Sequence, residues 1–155
     1  KEELPMSILG AIFAGLIGTV VISIVMAMAP KMGMPKMDIV GMLGTMFSET
    51  GNRTLGWLMH LMMGVVFALV YAFLWSVGVV SLSWLTGLLF GVVHWLIVGL
   101  MMAVIPMMHV GIRSGRVAAP GLYMTNSGGA MAFMGGLVGH MVFGLVVALV
   151  YAAFV

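Results

Sequence analysis

Four long hydrophobic runs divide the chain: Met6–Ala29, Leu55–Val77, Trp84–Ile105 and Gly129–Val155, with mixed or polar segments between them. Each exceeds the roughly 20 residues that a helix needs to cross a hydrocarbon core about 30 Å thick. The runs show no apolar–polar alternation, and four spans cannot close a membrane barrel. Backbone groups in lipid must be satisfied within their own segment, so each run is expected to be a helix. The fold class expected is an all-α membrane protein with four transmembrane helices.

Polar and small residues inside the runs recur. Aligning residues 55–74 with 135–154, an offset of 140 − 60 = 80, matches nine of twenty positions, among them Gly56/Gly136, His60/His140, Gly64/Gly144 and Tyr71/Tyr151. The first and third runs match more faintly at an offset of 76, through Gly15/Gly91, Met26/Met102, Ala27/Ala103, Pro30/Pro106 and Met32/Met108. The chain therefore reads as a single transmembrane domain made of two tandem helical hairpins, about residues 5–77 and 84–155. Because each unit holds two helices, the copies cross in the same sense. A pseudo-twofold axis along the membrane normal is expected, the parallel kind of repeat.

Both hairpins have a long connection on one side, Pro30–Thr54 and Pro106–Ser127, whereas Gly78–Ser83 is short and uncharged. Lys31, Lys36, Arg53, Arg113 and Arg116 lie in the long connections, against Lys1 on the opposite side. Positive charge favours the cytoplasmic face, so the long loops are expected there and both termini outside. Prolines 30 and 106 should end the helices before them. Residues 35–48 are too apolar for a solvated linker and too short to span, which points to an interfacial segment or one dipping into the bundle.

Composition narrows the function. The chain of 155 residues is 63% hydrophobic and 6% charged. A soluble domain carries roughly 25% charged residues, so this chain could not cover a water-facing surface. The net charge of +2, divided among loops, gives no case for nucleic acid. Without cysteine there are no disulfides and no thiolate chemistry. The carboxylates are Glu2, Glu3, Asp38 and Glu49, all outside the spans, so a proton or cation carrier would lack its usual acidic groups at depth. No phosphate loop, hydrolase triad or zinc-hydrolase motif is present. The chain is not expected to be an enzyme.

In a helix, residues four apart share nearly one face. Gly56, His60, Gly64, Ala68 and Ala72 form a stripe, and Gly136, His140, Gly144, Ala148 and Ala152 its twin. Small residues let helices approach closely in lipid, so the stripes are expected to be packing seams. The histidines within them are also functional-site candidates, since an ionisable ring in a span must face the bundle or water. Two matched rings across a bundle suit the axial ligands of haem b, although Arg53 is the only basic residue within two turns of either. The plainer alternative gives each ring a hydrogen bond to a neighbouring hydroxyl or carbonyl. His94, without a repeat counterpart, is a packed residue or joins His140. Met32, Met34 and Met37, with His94 and His109, suggest a thioether-rich copper site, and a metal or small-solute permease would use His94, His140 and the methionine-rich loops. Methionine is equally an apolar filler, and nineteen of them are spread over the chain. Arg113 and Arg116 could hold a lipid headgroup.

The stretch Met26–Phe47 (MAMAPKMGMPKMDIVGMLGTMF) is similar to a segment of small uncharacterised bacterial four-helix membrane proteins. Gly56-Trp57-Leu58-Met59-His60 with Gly64, then Gly91, Trp95 and Pro106, and His140 with Gly144, resemble the same domain-of-unknown-function family. The likeness covers most of the chain. It implies a bacterial inner-membrane location and no particular activity. The functional expectation is a non-enzymatic accessory or assembly subunit of a larger membrane complex, respiratory or otherwise redox, whose partners are lipids and other membrane subunits. A haem b electron carrier using His60 and His140 and a permease are the alternatives.

Overall fold

The computed structural model describes residues 5–155. Lys1, Glu2 and Glu3 lie outside the described residues. Among those described, 76% are helical and none is in a strand. The long helices are α1 (Ile8–Met28), α3 (Arg53–Ser76), α4 (Trp84–Val104) and α6 (Gly129–Tyr151); two short ones, α2 (Ile39–Gly44) and α5 (Val110–Arg113), lie in the long connections. At about 1.5 Å per residue, the 21 residues of α1 reach ~32 Å, enough to cross a bilayer. The four long helices are apolar enough to do so. Their outward faces carry Ile17, Val66, Ile97 and Val138, all more than 40% exposed, an apolar surface suited to lipid.

Local signals set the helix ends. Ser7 Oγ accepts from Gly10 N–H at 3.1 Å, Asn52 Oδ1 from Leu55 N–H at 3.1 Å, and Ser83 with Thr86 forms a reciprocal capping box. Pro30 and Pro106 do not stop their helices outright. Each sits near the start of a tighter turn, Ala29–Met32 and Ile105–Met107, that adds a few residues to the rod. The proline's missing N–H removes one hydrogen bond where the α-helix passes into the tighter turn, which marks the end of the regular helix.

Helix α1 packs closely on α3 and α6, and α4 on α6, whereas the backbones of α3 and α4 stand apart and meet through large side chains. An exact twofold would make the α1–α6 and α3–α4 contacts equal. The sequence explains the difference. Gly18 of α1 lets Phe143 and Val147 of α6 come close, so that an added Cβ would meet both at 3.0–3.1 Å. At the aligned positions α4 carries His94 and α3 carries Phe67, and their rings stack at 3.5 Å. Large rings hold α3 and α4 apart where small residues draw α1 and α6 together.

Glycine-to-backbone packing joins each close pair. Gly15 of α1 lies on Gly64 and Val65, with an added Cβ only 2.6 Å from Val65 Cα. Its aligned counterpart Gly91 lies on His140 and Met141, the latter Cα at 2.7 Å. The α4–α6 pairing is thus offset by about one turn from the α1–α3 pairing. Gly56, Gly64, Ala68, Ala72, Gly136, Gly144 and Ala148 are all buried. Ala152 is exposed: α6 ends at Tyr151, and the tighter turn Ala152–Phe154 rotates it off the stripe.

The two ends of the bundle differ. Opposite the long connections, Trp75 stacks on Tyr151 at 5.7 Å, Phe90 lies against Trp75 and Tyr71, and Tyr151 Oη accepts from Ser7 N–H at 3.0 Å. On the loop side, Val110 N–H and Gly111 N–H donate to the carbonyls of Met46 and Thr45, both at 3.0 Å, tying the connections together. Helix α2, with Val40, Met42 and Leu43 buried, folds back onto the start of α3 beside Gly56. Residues 122–127 dip alongside α4 and place Tyr123 against Gly99. Tyr123 (φ 52°) and Met124 (φ 59°) are left-handed there, a strained geometry for such side chains.

Candidate functional site

Between the aromatic end and the loop cap lies a cavity of about 310 Å³, walled by all four long helices with α2 and Met124. Its size falls at the lower end of the roughly 300–1,000 Å³ typical of small-molecule sites. The wall is almost wholly apolar, with Ile22, Val98, Trp95 and Phe143 among its residues. Its notable polar groups are three imidazoles, His60, His94 and His140. Among the described residues no lysine, arginine or carboxylate lines it.

The closest imidazole pair is His94 and His140, on α4 and α6, with ring centroids 4.7 Å apart in an edge-on arrangement. His140 Nδ1 donates to the Gly136 carbonyl one turn earlier at 2.8 Å, so its neutral ring presents Nε2 as an acceptor. His94 is 7% exposed, and its Nδ1 lies 3.1 Å from Tyr71 Oη. Among the described residues Tyr71 Oη has no other partner. With Nδ1 its single partner, the hydroxyl is assigned as the donor, which leaves the proton of the neutral His94 ring on Nε2. Phe67 stacks on one face of His94, Phe143 meets it edge-on at 5.4 Å, and Trp95 lies 5.0 Å from His140. Trp95 is 1% exposed, and its Nε1–H has no acceptor among the described residues.

His60, on α3, is half-buried beside Trp57, and no hydrogen bond holds its ring among the described residues. It stands where the inner cavity meets a second, more open one of about 460 Å³ on the loop side. Lys36, Asp38 and Arg53 line that outer cavity. Asp38 and Arg53 pair through two hydrogen bonds, of 2.8 and 3.2 Å, and Asp38 also caps α2 by accepting from Gly41 N–H at 2.9 Å. The Arg53 guanidinium, more than the Gly41 N–H, holds the Asp38 carboxyl below its usual range.

The other sequence candidates scatter. Met37 lines both cavities and Met34 lies near Gly135, but Met32 is 77% exposed. His109 is fully buried in the loop cap, away from the imidazole cluster. Its Nε2–H donates to the Met42 carbonyl at 2.8 Å, and its Nδ1 accepts from Ile112 N–H at 3.1 Å as the cap of α5. Nε2 thus ties the two connections together, while Nδ1 is taken up within the second. Arg113 and Arg116 are exposed on the loop face. Among the described residues no group of three or more histidine and carboxylate side chains is placed to hold a metal ion.

Sequence reasoning paired His60 with His140 and left out Tyr71, Phe67 and Trp95 from the site. A usable signal was present for two of these. Phe67 and Tyr71 follow His60 by seven and eleven residues, spacings that return to the same helix face.

No curated protein and no solved structure matches the chain. A family model described as a family of unknown function, DUF6789, matches residues 5–155, so the chain belongs to that family.

Proposed function

We propose that the protein is a non-enzymatic, multi-pass subunit of a larger membrane assembly of the respiratory or another redox kind, in a bacterial inner membrane with its long loops cytoplasmic. The supporting observation is the inner cavity, where three imidazoles face an apolar space with no charged residue in its wall. Such a wall can hold a neutral ligand, but offers no nucleophile–base arrangement and no carboxylate relay. Outside it, the helices present lipid-facing or partner-facing apolar surface and little extramembrane structure. Purification in a mild detergent after in-membrane cross-linking tests the assignment. Co-migration on a native gel with other membrane subunits, identified by mass spectrometry, is expected. Migration alone, with no cross-linked neighbour, overturns it.

One observation favours haem b between His60 and His140 as a second reading. The His140 Nδ1–Gly136 bond orients that ring as second-sphere hydrogen bonds orient metal-binding histidines, leaving Nε2 free. Against it, the His94 edge already lies on His140, and the inner wall carries no cation to meet propionates. A Soret band in protein from haem-replete cells, lost in His140→Ala, would support this reading; a colourless folded preparation removes it.

A further inference from the structure

We propose that the inner cavity is a binding site for a hydroxylated aromatic ring bearing an apolar tail, a lipid-soluble quinol, taken up from the bilayer between α3 and α4. This identifies the ligand class of the redox subunit proposed above and rests on that reading for its context, though the site stands on its own geometry.

The charge of the wall narrows the ligand first. With no lysine, arginine, aspartate or glutamate among the described residues lining the inner cavity, neither an anionic headgroup nor a cation would find a partner for its charge there. A neutral ligand remains. The wall is largely aliphatic, aromatic and thioether, and Met26, Met63 and Met101 supply flexible side chains that settle against ring edges. Phe67, Trp95 and Phe143 surround the two close imidazoles and make a setting for a flat ring.

Hydrogen bonding then separates hydroxyl from carbonyl. His140, held through Nδ1 by the Gly136 carbonyl, offers an acceptor at Nε2. With the Tyr71 hydroxyl assigned as donor to its Nδ1, His94 offers a donor at Nε2. The rings are neighbours at 4.7 Å. A phenolic hydroxyl both donates and accepts, so it satisfies the two together. A quinone oxygen only accepts; it satisfies His94 and leaves the His140 nitrogen unpaired in an apolar wall. The site is therefore matched to the reduced form.

Access follows from packing. The backbones of α3 and α4 stand apart, bridged by the Phe67–His94 stack, and both helices contribute to the cavity wall on the loop side of that stack. On α4, Met101 reaches from that wall to an exposed surface, being 54% exposed, so an apolar tail has a path into lipid past a flexible side chain. The opposite end is closed by Tyr71, Trp75, Phe90 and Tyr151.

The test uses the full chain in lipid nanodiscs, titrated with a decyl-substituted benzoquinol, with the corresponding quinone, and with the dimethyl ether of the same quinol, under anaerobic conditions. Tryptophan fluorescence reports binding through Trp95. Saturable binding is expected for the quinol, with the quinone and the ether weaker by about tenfold or more, the size of one unpaired buried hydrogen-bonding group. His140→Phe should abolish that preference while leaving the helical circular dichroism unchanged. Equal affinity for all three probes, or no saturation, overturns the assignment and marks the cavity as unselective apolar space. If His140→Phe does not fold, the three-probe comparison on the unaltered chain still decides. The subunit reading fails separately, by solitary migration after cross-linking, whatever the probes show.

Discussion

Two alanine substitutions on one helix should move stability in opposite directions. A methyl group added at Gly144 of α6 would strike the Gly87 carbonyl oxygen and lie 2.9 Å from Gly91 N, both backbone atoms of α4. A methyl added at Gly139 would meet the Ile22 side chain at 3.3–3.4 Å, close to ordinary contact and against a flexible group. Replacing glycine by alanine within a helix favours folding by about 1 kcal/mol, and that gain is common to both. The difference between Gly144→Ala and Gly139→Ala therefore isolates the overpacking penalty, about 1–3 kcal/mol. Gly139→Ala should be neutral or slightly more stable than the unaltered protein, and Gly144→Ala less stable. Denaturant titration in detergent micelles, followed by far-ultraviolet circular dichroism, measures both. The packing argument is refuted if Gly144→Ala unfolds at the same denaturant concentration as Gly139→Ala, or a higher one.

Gly64→Ala in the other hairpin should behave like Gly144→Ala, because its added methyl would strike Thr19 Oγ1 and lie 3.1 Å from the Gly15 carbonyl oxygen; the same titration reads it. His109→Ala removes the cap of α5 and leaves the buried Met42 carbonyl without its donor, so a loss of about 1–3 kcal/mol is expected, seen as faster proteolysis in the connections. Tyr71→Phe removes the hydroxyl on His94 Nδ1 and should lower the thermal midpoint modestly, the hydrogen bond being worth about 1 kcal/mol. Asp38 has a lowered pKa when folded, so its contribution is present above the usual carboxylate range and lost as pH falls through the folded value. Between about pH 6 and about pH 3, Asp38→Asn should lose less thermal stability than the unaltered chain, by a small margin because the pair is solvent-screened.

The four spans were legible because length and apolarity alone separate a lipid-embedded helix from a soluble one. Glycine stripes pointed to the seams for the same reason, since in lipid only small residues let backbones meet. What the sequence hid was which seams would close. At the inter-hairpin contacts Gly18 and Val147 align with His94 and Phe67, and one pair closes where the other props its helices apart. Identity at Gly56/Gly136 or His60/His140 says nothing about those non-identical positions, so the repeat drew attention to the matched histidines. The closest imidazole pair instead includes His94, which has no counterpart. His109 was hidden differently. Its role depends on the Met42 carbonyl, 67 residues away in sequence, and on a meeting of two connections that carry no periodic signal.

The stacked Trp75 and Tyr151, with Phe90 and Tyr71 beside them, give the molecule a blind end. A solute in the interior faces the loop-side cavity and has no opening past these rings. Conduction from one compartment to the other would require that aromatic cork to be drawn. As folded, the bundle is stoppered at the end away from its long connections.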